Sequence, residues 1–131
     1  EIVKKTTSDE STNLEVILTA EQIIAYQDLI RRIPVADNVL EYAVSLVNKT
    51  RVKNEKATEL TQKYITWGAG PRASQYLIVG AKCYAALRGK YSPDIEDVKA
   101  IAKPILRHRL VRNYRADAEG YSMDRIIEEL L

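Results

Sequence analysis

The stretch that most constrains this chain is residues 67–90. From Pro71 onward, apolar or small residues recur at Ala73, Tyr76, Leu77, Gly80, Ala81, Tyr84 and Leu87. That spacing marks one stripe of an α-helix about four or five turns long. Pro71 suits the first turn, because its missing N–H has no intrahelical partner to lose there. Gly68 and Gly70 give a flexible approach to the helix, and Gly89 supplies its stop.

Arg72 is the odd residue in this stretch. It falls in the first turn, where the helix dipole is positive and a cation is disfavoured by roughly 0.3–1 kcal/mol. One explanation is an anion in front of the helix, on which the guanidinium and backbone N–H groups converge. The other is a solvated arginine whose aliphatic stem covers Trp67 or Ala73. Local chemistry leaves both open.

Elsewhere the chain reads as short helices. Residues 1–13 are rich in Thr, Ser, Asp and Glu and read as a linker. Residues 14–18 alternate loosely and suit a short extended segment. Thr19 and Gln22 form a capping-box pattern that opens a helix to about Arg32. Its core stripe is expected to be Ile23, Tyr26, Ile30 and Ile33, with Leu29 beside it. Pro34 ends that helix. Asp37 is the expected cap of the next, which runs to about Arg51 with Ala36, Leu40, Ala43, Val44 and Val47 on one face. Residues 51–63 lack a clean period and read as a long loop with a helical turn near 57–60. Residues 64–67 favour an extended conformation.

After the central helix, Ser92 is expected to cap and Pro93 to occupy the first turn of another. Asp94, Glu96 and Asp97 load that turn with the negative charge its dipole favours. They fan around the turn rather than converge, so no metal is expected on them. Ile95, Val98, Ile101 and Ala102 form the stripe, and Pro104 breaks or kinks the helix. A basic helical piece is expected at 105–110, a loop at 111–120, and a last helix capped by Ser122 with Met123, Ile126, Ile127 and Leu130 on one face. The fold class is thus all-α: a bundle of about five or six helices with little or no sheet.

At 131 residues, with 46% apolar and 29% charged, the composition is that of one folded domain rather than a disordered chain. Between Lys82 and Arg115, nine Lys and Arg face three acids. Such a surface can be solvated, or it can meet an acidic neighbour, nucleic acid or nucleotide. Within the basic stretch Lys99 to Arg115 only Tyr114 is interleaved as a stacking residue, and neither helix-turn-helix nor zinc-finger spacing accompanies it, so no specific nucleic acid is expected. Cys83 is the single cysteine, which excludes a disulfide and a thiolate cluster within the chain. Neither a signal peptide nor an apolar run of about 18 residues occurs, so no membrane association is expected and the cytoplasm is the default.

Several catalytic chemistries lack their parts. ATP hydrolysis needs a phosphate cradle, a magnesium ligand and a group that orients water. No Gly-x-x-x-x-Gly-Lys-Ser/Thr run exists here, so this chain alone is not expected to turn over ATP. His108 is the only histidine and sits between Arg107 and Arg109, far in sequence from Cys83, so it reads as a surface or packing residue.

Three blocks resemble the C-terminal lid domain of MoxR-type AAA+ ATPases: Gly68-Ala69-Gly70-Pro71-Arg72-Ala73, Tyr91-Ser92-Pro93-Asp94-Ile95-Glu96-Asp97-Val98 and Ile105-Leu106-Arg107-His108-Arg109-Leu110. Their order and spacing match, and the likeness runs from about Leu18 to the end. The resemblance implies that Arg72 is the sensor-2 arginine, with Gly70 and Pro71 beside the nucleotide. The family often has Ser at the position of Gly70, a departure that loosens the turn. It further implies that residues 14–131 are the lid, and that 1–13 lead from an N-terminal AAA+ core that binds ATP and Mg²⁺. Neighbouring subunits in a hexameric ring follow as partners, together with chaperone-like remodelling of client proteins, often ones with von Willebrand factor A domains. A chain beginning at Glu1 rather than Met fits a piece of such a protein. The alternative is a free-standing helical module that binds proteins or nucleic acid.

Overall fold

The computed structural model describes Val3, Thr7 and residues 15–131; the expected linker, apart from Val3 and Thr7, and Leu14 lie outside the described residues. Within residues 15–131, seven helices and one two-stranded sheet follow in the order α1 (Ala20–Arg32), α2 (Asp37–Lys49), α3 (Glu59–Tyr64), β1 (Ile65–Trp67), α4 (Pro71–Leu87), α5 (Ile95–Leu106), β2 (Val111–Arg112), α6 (Tyr114–Ala118) and α7 (Met123–Leu130).

The bundle is built around α4, which packs on α5, α2 and α1. Its buried face is Ala73, Leu77, Ala81 and Ala85, one residue per turn. These side chains are small, so α5 comes close: a Cβ on Gly80 would stand 2.9 Å from the Ile105 Cδ1. Val98, Ala102 and Leu106 of α5 and Ile126, Ile127 and Leu130 of α7 complete the core on that side. At its far end α4 stops as expected, with Gly89 at a φ of 73°.

Local capping follows the sequence closely at two helices. Thr19 and Gln22 make a reciprocal capping box on α1, and the Ser122 hydroxyl accepts from the Arg125 N–H to start α7. Other expectations are corrected. The stripe of α1 is not core: none of its residues is buried, and Ile23 and Tyr26 are 45% and 52% exposed. The helix packs on the bundle mainly through α4, above an apolar groove that includes Val79 and Cys83. Residues 15–18 form no strand. In α2 the buried face is Val39, Ala43, Leu46 and Val47, leaving Leu40 and Val44 exposed. Ala36, not Asp37, is its N-cap, without a side-chain hydrogen bond. Helix α5 is capped by Asp94 rather than Ser92, whose hydroxyl instead donates to the Pro34 carbonyl.

Pro104 does not end α5, which continues to Leu106. Both Pro104 and Ala100 are exposed, so the carbonyl that loses its helical donor faces water. No further helix begins at 105–110, where the chain turns toward β2. The segment 111–120 is not a loop: β2 pairs antiparallel with β1, Ile65 opposite Arg112 and Trp67 opposite Val111, with an irregularity between. Asn113 then caps α6 through its side chain, while its own N–H and Nδ2 donate to the carbonyls of Tyr64 and Lys63.

Candidate functional site: the start of the central helix

The turn leading into α4 is held from one side by the residues that follow α2. Thr50, fully buried, donates its hydroxyl to the Val47 carbonyl at 2.6 Å and accepts from the Ala69 N–H at 2.9 Å. Arg51 Nε donates to the Ala69 carbonyl at 2.9 Å. Gly68 lies directly on this support, since a Cβ there would be 2.2 Å from the Thr50 carbonyl oxygen. Only glycine fits so close an approach.

The next residue is different. Gly70 is the N-cap, extended at φ −80° and ψ 174°, and a Cβ on it would meet nothing within 4 Å. The turn is therefore fixed by residues 68 and 69, so the glycine at 70 does not loosen it. Pro71 is the first helical residue, as its fixed φ favours. Beside it runs a shallow groove of about 550 Å³ lined by Arg51, Val52, Lys53, Thr66, Trp67 and the turn itself. Trp67 is 70% exposed there.

Electrostatically this helix start is open. The first turn of α4 holds no acid and has no side-chain cap. Arg72 is exposed and, among the described residues, has neither hydrogen bond, ion pair nor ring contact. Its guanidinium is thus not stacked on Trp67. Lys53, across the groove, is likewise unpartnered among the described residues. A turn with free backbone donors, two unpaired cations and no carboxylate can receive an anion without first breaking a contact.

The other candidates do not gather into a site. His108 is exposed and contacts the neighbouring Arg109 guanidinium, while Cys83 is half-buried beside α1. No group of His, Cys, Asp and Glu among the described residues is arranged to hold a metal. The sequence reading missed Thr50 and Arg51. Their signal is a hydrogen-bond pairing with Ala69 across an intervening helix and strand, which local spacing does not carry.

The sequence profile of the AAA lid domain matches residues 57–130, more than half of the chain, so the chain belongs to the AAA lid domain family. Within that class it is a MoxR-like lid. It is 32% identical over 118 residues to the chaperone MoxR1 of Mycobacterium tuberculosis, a match covering 86% of this chain and 31% of that protein. An uncharacterised Bacillus subtilis protein, YeaC, is 27% identical over 118 residues, covering 90% of this chain and 34% of its own. The crystal structure of a candidate ATPase from Cytophaga hutchinsonii superposes with a TM-score of 0.82 at 29% identity, over 98% of this chain and 39% of that one. The chain spans about a third of the length of the curated relatives it matches.

Proposed function

We propose that this lid closes over ATP and Mg²⁺ held by an N-terminal AAA+ core of the same protein, and that Arg72 reaches the terminal phosphate as its sensor-2 arginine. The observation that carries the reading is Arg72 itself, an unpartnered cation among the described residues, fixed where the helix dipole disfavours it. Gly70 and Pro71 keep the space in front of it clear. The cradle, the magnesium ligands and the group that orients water belong to the core. This chain contributes one phosphate contact and a rigid mount for it. Assembly in a hexameric ring, chaperone-like remodelling of clients that include von Willebrand factor A proteins, and a cytoplasmic location come with the resemblance. No helix among the described residues is long and apolar enough to cross a membrane.

The nucleic-acid alternative is disfavoured by how the basic tract is used. Lys90, Lys99, Lys103, Arg107, Arg112 and Arg115 are all paired with carboxylates. Lys82, Arg88 and Arg109 donate to the oxygens of Arg31, Tyr84 and Ile105. Little free charge remains there to replace counterions on a phosphate backbone. The test of the lid reading is ATP turnover by the purified protein carrying both core and lid, beside the 131-residue chain alone. Turnover is expected only with the core present. Magnesium-dependent hydrolysis by the short chain, abolished by a mutation within it, overturns the reading.

A further inference from the structure

We infer that Thr50 and Arg51 are positioning residues for Arg72: together they set where α4 begins, and so where its guanidinium stands. The inference rests on the reading of Arg72 as a phosphate contact. Ala69 is gripped on both of its backbone groups by consecutive residues, its N–H by the Thr50 hydroxyl and its carbonyl by Arg51 Nε, each at 2.9 Å. Thr50 is itself anchored to the last turn of α2 through the Val47 carbonyl, so the grip is referred to a helix of the core. Gly68 rests on the Thr50 carbonyl, which blocks movement of the turn toward α2. Beyond Ala69 the support ends: Gly70 has open space around it, Pro71 has no N–H to bond, and Arg72 has no partner among the described residues. Arg72 therefore stands between two fixed points, the hold at residue 69 and the buried Ala73, and the first of them sets where the helix begins. Arg51 fits this role, since its Nε is spent on a neutral carbonyl and the side chain forms no ion pair among the described residues.

Mispositioning a charged contact by about 1 Å costs up to a hundredfold in rate, so the hold is measurable in turnover. The experiment uses the protein with its core, and reads kcat per folded molecule, KM for ATP and Tm. Thr50→Val keeps the shape of the side chain and removes the hydroxyl. It is expected to lower kcat about tenfold with KM within about twofold, while Thr50→Ser stays near the parent. Arg51→Met, at a half-buried position, gives the same direction if Thr50→Val does not fold. In an Arg72→Ala background neither substitution is expected to lower kcat further, although Tm still falls. Additive losses in that background, or unchanged kcat per folded molecule in both single variants, overturn the positioning role while leaving Arg72 as a phosphate contact. An Arg72→Ala protein with parental kcat overturns both.

Discussion

The two long helices that pack against each other, α4 and α5, begin in opposite ways. Helix α5 starts closed. Asp94 and Asp97 form a reciprocal capping box, Asp97 is buried, and Lys90 bridges both carboxylates at 2.8 and 2.9 Å. Acids at a helix N-terminus complement its dipole, and here they and their cation satisfy one another completely. Helix α4 starts open, with no cap, no acid and an arginine of the unfavourable sign. Both starts sit in the same bundle with equally buried faces behind them. The difference teaches that one bundle can hold a helix start sealed by its own acids and their cation beside another that has neither cap nor acid.

That contrast can be broken first at α5. Asp97→Ala removes the acceptor of the Asp94 N–H and the buried partner of Lys90, and is expected to destabilise the chain by about 2–4 kcal/mol in denaturant unfolding. A loss below about 1 kcal/mol means that the closed start is not what holds α5. At α4 the expectation depends on which glycine is changed. Gly68→Ala should cost about 1–3 kcal/mol, because its Cβ meets the Thr50 carbonyl at 2.2 Å. Gly70→Ser should be neutral or stabilising by a few tenths of a kcal/mol, since the side chain has room and serine is a good N-cap. Equal costs at the two glycines contradict a turn pinned at residues 68 and 69.

A smaller effect is expected from pH. Lys90 and then the Asp97 N–H hold the Asp94 carboxyl down at about 2. Arg115 first, then Tyr64 and Lys63, hold Glu119 at about 2. Both folded values lie below those of the unfolded chain, so their stabilisation is present above about pH 4.5 and is lost as pH falls toward 2. Both groups are at the surface, so salt should weaken the effect. Thermal unfolding between pH 5 and 2.5 should therefore show a falling Tm, with a shallower slope in Glu119→Gln. Parallel slopes for the two proteins would remove Glu119 from the account.

What could be read from the sequence is what depends on near neighbours in it. The Thr19 box, the Ser122 cap and the Gly89 stop all act over three or four residues, and each stands where the spacing puts it. The stripe of α4 holds at Ala73, Leu77 and Ala81, but Tyr76 and Leu87 are exposed and Ala85 is buried in their stead. Arg72 stood out because one charge had the wrong sign for its place. The periodicity of α1 revealed a real apolar stripe, but period identifies a face and not what covers it, so Ile23 and Tyr26 were assigned to a core they do not join. The pairing of β1 with β2 and the grip of Thr50 and Arg51 on Ala69 join residues far apart in the chain. Strands of two or three residues and a single hydroxyl leave no periodic trace.

The central claim is that Arg72 is kept for a phosphate and not for the fold. The most direct measurement pairs the unfolding free energy of the 131-residue chain with ATP turnover by the protein carrying its core, for Arg72→Ala, Arg72→Lys and the control Arg88→Ala. Arg72→Ala should leave stability within about 0.5 kcal/mol of the parent, as for other unpartnered surface side chains. It should slow turnover at least about tenfold, because a charge-assisted contact contributes roughly 1.5–3 kcal/mol. Arg72→Lys should restore only part of the rate, since an ammonium lacks the planar fork, and Arg88→Ala should turn over like the parent. If Arg72→Ala destabilises the lid and the folded enzyme still hydrolyses ATP at the parental rate, Arg72 is a structural residue and the open start of α4 has another purpose.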